Sequence, residues 1–214
     1  MNDGLLLAID TCGPTGSVAL ARLTGETLEP LGETELEGRS FSATLIAAIK
    51  ALLEKAGATP AALRALVAVS GPGSFTGVRV GLSTVKGLSE GLQIPVATVS
   101  RLEVLAAKAG VPSAALDAHR HEVFLRDASE ELLAGAEELA ARVPAARIAL
   151  CEETAAQLLA ASWPAAEQVR VAAPTAADAL RLALPRVLRQ EFADVALLDG
   201  HYLRRSDAEI FGPA

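Results

Sequence analysis

The sequence predicts a layered α/β fold organised as two halves, and three observations point there. Short apolar runs of strand length alternate with longer helical patterns along most of the 214 residues. One strand, at 66–69, runs through a glycine-rich loop into a helix. The opening pattern, an apolar strand ending in Asp, then a turn and an outgoing strand, returns after residue 110. Apolar–Asp–turn is a common pattern, so the repeat taken alone leaves chance open. Hydrophobic residues make up 51% of the chain, enough for a core without disulfides or metals. Aromatics are only 3%, so that core must be Leu, Val, Ile and Ala.

The elements follow in order. Leu5-Leu6-Leu7-Ala8-Ile9 reads as a buried strand ending at Asp10. Residues 11–16, rich in Gly and Pro, form a turn, and 17–22 return as a second strand. A more polar third strand is expected within 27–36. Ser40 then caps a helix whose apolar stripe is Phe41, Leu45, Ile49, Leu52 and Leu53, with Gly57 after its end. Thr59-Pro60 starts a short helix, and 66–69 is the next strand. The loop 70–77 opens a helix that runs to about Gly91. Residues 95–99 form a strand, and Ser100 caps a helix through Lys108. Gly110-Val111-Pro112-Ser113 marks a boundary, giving halves of 1–110 and 111–214, with the last helix and tail able to pack back on the first half. In the second half, 114–117 and 122–125 form strands around a turn carrying His119. Strands at 147–150 and 169–172 and helices at 152–160 and 174–190 follow.

Composition excludes several functions. A net charge of −7 argues against a broad basic surface gripping nucleic acid by its phosphates, although a partner can supply that charge. Cys12 and Cys151 fit no metal spacing. His119 and His121, two apart, would share one face of a strand, but no third ligand is evident nearby. The first residues lack a basic region, and the apolar run is too short for a signal peptide, so a cytoplasmic location is expected.

The loop Ser70-Gly71-Pro72-Gly73-Ser74-Phe75-Thr76-Gly77 can hold an anion on its N–H groups, or serve as a tight crossover from strand to helix. Its spacing fits neither the dinucleotide fingerprint nor the P-loop. The helix after it carries two stripes. Val78, Leu82, Val85 and Leu92 suit the chain's own sheet. Gly77, Gly81, Thr84, Gly87 and Gly91 form a stripe of small residues that suits a close second backbone, either the helix at 41–56 or another subunit. Asp10 and Asp117, at strand ends, can hold a metal–nucleotide or simply accept turn N–H groups. Glu103 is a further carboxylate with nothing beside it to complete a site.

These residues carry a resemblance. Leu7-Ala8-Ile9-Asp10-Thr11, the run 69–81, Val99-Ser100-Arg101-Leu102-Glu103 and 116–124 are similar to the TsaB (YeaZ-type) family of tRNA threonylcarbamoyladenosine biosynthesis. The match spans nearly the whole chain, densest over 5–125. It implies an actin-like, Hsp70-like duplicated fold. It also implies a non-catalytic subunit that pairs with the catalytic subunit TsaD to modify tRNAs reading ANN codons, with the ATPase TsaE docking on the pair. Homodimer or monomer stays open for the isolated chain; contact with tRNA only through the complex and no membrane association are further expectations. In TsaD the segment matching 100–105 carries an H-x-x-x-H metal pair. Arg101 and Leu105 stand at those two positions here, so no catalytic residue, metal or cofactor of its own is expected; ATP and metal belong to the partners. Nucleotide binding stays open, with Asp10, Thr11, Gly71, Gly73 and Ser74 as vestigial candidates. The expected partner face joins Leu45 and Ile49 to Gly77, Gly81, Thr84, Gly87 and Gly91. A nucleotide-binding enzyme or regulator acting alone is the alternative; tight ATP binding by the isolated chain would favour it.

Overall fold

A computed structural model describes residues 3–37 and 40–204. Its elements divide into two units, Met1–Val104 with Pro174–Gly200, and Leu105–Ala173 with His201–Ala214.

The first unit is a five-stranded sheet. Strands β1 (Gly4–Asp10), β2 (Thr15–Thr24) and β3 (Thr27–Glu37) form an antiparallel meander, and β4 (Leu63–Val69) and β5 (Val96–Val99) add in parallel beyond β1. The order is therefore β3-β2-β1-β4-β5. Helix α1 (Phe41–Lys55) connects β3 to β4 by way of a short 3-10 turn at 60–62, and α2 (Phe75–Leu92) connects β4 to β5. Parallel neighbours need such crossovers. Strand β1 is buried from Leu5 to Asp10 and β4 is buried at all but one position, so both faces of the sheet centre need cover. Helices α1 and α2 supply part of it. The rest comes from α6 (Ala176–Leu188), which lies against β1, β2, β4 and β5. Its buried residues are Ala176, Ala179, Leu180, Ala183 and Val187. Three of these are alanines, which lets the helix axis come close to the strands. Thr175 caps it by accepting from the Asp178 N–H, and Ser17 of β2 accepts from the Ala176 N–H at 2.8 Å.

The second unit repeats the plan. Strands β6 (Ser113–Asp117), β7 (Val123–Asp127) and β8 (Glu130–Ala134) form a meander, with β9 (Arg147–Leu150) and β10 (Glu167–Arg170) in parallel. Read from its far edge, the order is β8-β7-β6-β9-β10, position for position that of the first sheet. Helices α4 (Ala136–Ala140) and α5 (Glu153–Ser162) stand where α1 and α2 stand in the first unit. The core gathers Leu125, Ile148, Leu150 and Leu159 around Trp163, whose indole N–H donates to the Leu139 carbonyl at 2.8 Å. This matters because a buried indole left without an acceptor would be costly.

The structure departs from the sequence reading in several places. Strand β8 and helix α4 were not foreseen. Residues 119–121 lie in the turn expected between β6 and β7, and all three have positive φ, so His119 and His121 do not share a strand face. Ser40 stands at the N-cap of α1, but its hydroxyl donates back to the Glu37 carbonyl and caps no helix N–H. Among the described residues no helix is long and apolar enough to cross a membrane.

Candidate functional site

The first unit brings three segments together at the C-terminal end of β1: the turn after Asp10, the glycine loop after β4, and the start of α3 (Arg101–Ala109). The turn and the loop touch backbone to backbone. The Ser74 N–H donates to the Cys12 carbonyl at 2.7 Å. A Cβ built on Gly73 would lie 2.1 Å from that same oxygen, so only glycine fits there. The Thr11 hydroxyl donates to the Gly77 carbonyl at 2.7 Å. The loop that reads as an anion cradle thus spends the Ser74 donor on the chain's own turn.

Asp10 is 1% exposed. One oxygen accepts the Cys12 N–H at 2.9 Å, and the other lies 3.6 Å from Nε of Arg101. Arg101 is itself buried, and its backbone N–H donates to the Gly71 carbonyl at 2.7 Å. The guanidinium lies over Gly13, where an added Cβ would fall 2.3 Å from Nη2. Beside this pair the Cys12 thiol is pushed well up, first by burial and then by the Asp10 charge, so it stays protonated.

The second unit has the corresponding carboxylate. Asp117 ends β6 and accepts the His119 N–H at 2.7 Å, the same two-residue turn bond as at Asp10. Its second oxygen accepts from the Thr154 hydroxyl at 2.7 Å, and His119 Nδ1 lies 3.3 Å away. Partial burial works against its charge, but the hydrogen bonds from Thr154 and His119 outweigh that and hold the carboxyl below its usual value. The Asp117 N–H donates to Glu152.

The small-residue stripe on α2 is split. Gly77 and Gly81 are buried and face the turn: a Cβ on Gly77 would lie 2.0 Å from the Thr11 carbonyl, and one on Gly81 would lie 2.3 Å from its hydroxyl. Their smallness serves the approach of β1's turn, so neither presents a face to a partner. Leu45 and Ile49 are likewise core residues, 1% and 5% exposed. The expected face loses Gly77, Gly81 and Ile49, while Leu45, buried as it is, lines the α1–α2 groove that also holds Thr84. Gly87 and Gly91 are exposed with open space beside them, and Thr84 is half-buried. Thr84 lines a groove between α1 and α2 together with Val80, Ser83 and Ile46. Ile46 is 57% exposed, one of three large apolar side chains so exposed among the described residues, and the sequence reading missed it. The signal was present, since Ile46 interrupts the polar side of α1's stripe.

Glu103 has a structural partner: Arg186 of α6 contacts its carboxylate at 2.5 Å and also donates to the Thr98 carbonyl at 2.6 Å. Nor do the residues fit a metal of the kind the resemblance to TsaD implies. Leu105 is buried and has no ligand atom, and Arg101 brings a positive charge to the site. Among the described residues no three His, Cys, Asp or Glu side chains are placed to hold a metal ion.

A family model described as TsaD, tRNA N6-adenosine threonylcarbamoyltransferase, matches residues 35–192. The chain is 37% identical over 123 residues to the Bacillus subtilis tRNA threonylcarbamoyladenosine biosynthesis protein TsaB, covering 56% of this chain and 52% of that one. With Escherichia coli TsaB it is 34% identical over 125 residues, covering 56% and 52%. It therefore spans about half the length of the curated relatives it matches. A Pseudomonas aeruginosa structure described as an uncharacterized protein with similarity to peptidase YEAZ superposes with a TM-score of 0.78 at 30% identity, over 95% of this chain and 100% of that one. A structure of YeaZ from the same organism gives 0.73 at 28%, with 95% and 100% covered. Two sheets of one strand order, each opened by a hairpin that turns at an Asp, define an actin-like duplicated fold of the ASKHA type. Within that class, the chain belongs to the TsaB/YeaZ proteins of the wider TsaD family.

Proposed function

We propose that this chain is a non-catalytic partner subunit in the formation of threonylcarbamoyladenosine on tRNA, seated against a TsaD-type catalytic subunit. One observation carries the reading. In a chain whose named relatives serve this biosynthesis, the strand-end Asp10 is paired with a buried arginine. The catalytic relative that the resemblance points to is expected to use a metal-binding pair, and Arg101 and Leu105, at the two matching positions, supply no metal ligand. The chain's contribution is then a surface. The α1–α2 groove suits it: exposed Ile46 beside Val80 and half-buried Thr84 offers apolar contact. ATP, metal and the docking of a TsaE-type ATPase belong to the partners in this reading.

The test supplies the purified chain with threonylcarbamoyl-adenylate and tRNA, with and without TsaD. Modified nucleoside is expected only with TsaD, and more of it when the chain is present. Ile46→Asp and Thr84→Trp should each abolish co-purification with TsaD while keeping a cooperative melt. Val85→Ala, in the core, should keep binding and lose about 1–2 kcal/mol of stability. Product formed by the chain alone, or normal TsaD binding by both groove variants, would overturn the corresponding half of the proposal.

A further inference from the structure

Three features of the first cradle stand together. Asp10 is buried and its charge faces the Arg101 guanidinium, with side chains 2% and 4% exposed. The guanidinium covers the floor of the turn at Gly13. The Ser74 N–H, one of the loop's possible anion donors, is bonded to Cys12. A carboxylate sealed from water demands a counter-charge, which either a bound cation or a cationic side chain can supply.

We propose that Arg101 is the resident cation of this site. Its guanidinium supplies covalently the positive charge that Asp10 would otherwise draw from a metal or metal–nucleotide, and it holds the first unit closed to both. The arrangement follows from position. Arg101 is the first residue of α3, its backbone N–H is fixed by the Gly71 carbonyl, and its side chain reaches across to the β1 turn. The same three segments that could form a cradle are thereby tied to one another by a fixed charge. The inference concerns the isolated chain and does not rest on its partnership with TsaD.

The experiment uses the full chain and four variants: Arg101→Lys, Arg101→Gln, Asp10→Asn, and Asp10→Asn combined with Arg101→Gln. Melting temperature is read with and without 20 mM guanidinium chloride, against 20 mM sodium chloride as control. Removing one partner of a buried pair should lower the melting temperature of Arg101→Gln by roughly 10 °C. Arg101→Lys should lose less than half of that, and the double variant should recover more than half of it. Guanidinium should raise Arg101→Gln by several degrees beyond the control and leave the parent and the double variant unmoved. If Arg101→Gln does not fold, a folded double variant still supports the pairing, whereas failure of both assigns Arg101 a space-filling role and overturns it. Additive losses in the cycle would also overturn it. So would saturable stabilisation of the parent chain by Mg·ATP or by magnesium alone that Asp10→Asn abolishes.

Discussion

Asp10 and Asp117 each end a buried strand and accept the backbone N–H two residues on, but their remaining oxygens find different partners: the Arg101 guanidinium in one case, the Thr154 hydroxyl in the other. The second arrangement predicts a pH dependence. Asp117 is held below its usual value, so its contribution to stability is present above the unfolded carboxyl value and is lost as pH falls through the folded one. Thr154→Val should therefore cost about 1 kcal/mol at pH 7, and the gap from the parent should close as pH drops below about 4. Chemical denaturation at steps from pH 7 down to about pH 2.5 measures it; a gap unchanged across the whole range would show that Thr154 acts through packing. Both aspartates were legible as strand ends in the sequence. The arginine was legible only as a missing ligand. Its reach to Asp10 joins segments far apart in the chain, and no local pattern encodes such a contact.

Helix α2 shows how one compositional signal can have two physical causes. Its four glycines suggested a single small-residue face, yet two are spaces for Thr11 and two are open positions. Gly87→Ala and Gly91→Ala should each stabilise by about 0.5–1 kcal/mol, because alanine costs less backbone entropy in a helix and meets nothing there. Gly77→Ala and Gly81→Ala should destabilise by several times as much, since the added methyl meets the Thr11 carbonyl or hydroxyl. Thermal melts of the four variants separate the pairs; stabilisation at Gly81 would mean that the turn yields easily. Periodicity identified the helix and its apolar stripe, because Val78, Leu82 and Val85 are indeed buried. It could not sort the glycines, since a residue without a side chain reports no preference for core or solvent. Strand β8 and α4 escaped for a related reason: the segment 130–140 is rich in Glu and Ala, and its short apolar runs show no clear period.

At the scale of the molecule, the duplication was visible in the two Asp-ended hairpins, and the identical strand orders give it a topological basis. The sequence located a helix near 174–190 and allowed it to pack back on the first half, where α6 lies; it could not say which strands the helix covers, because an amphipathic stripe says what must be covered without saying by what. Cutting the chain after Ala173 should thus damage the first sheet: the truncated protein is expected to bind a hydrophobic dye and lose its cooperative melt, while a retained sharp transition would show that β1–β5 stand without α6. The bond from the Ala176 N–H to Ser17 spans 159 residues. On the ribosome this separation becomes a delay. Once β5 has emerged, nearly ninety further residues must be made before α6 is complete, which at ordinary elongation rates takes roughly 5–20 s. Throughout that interval the nascent sheet carries an uncovered apolar surface, a natural substrate for holdase chaperones, and slower elongation through 105–187 would lengthen its exposure without altering a single contact of the finished protein.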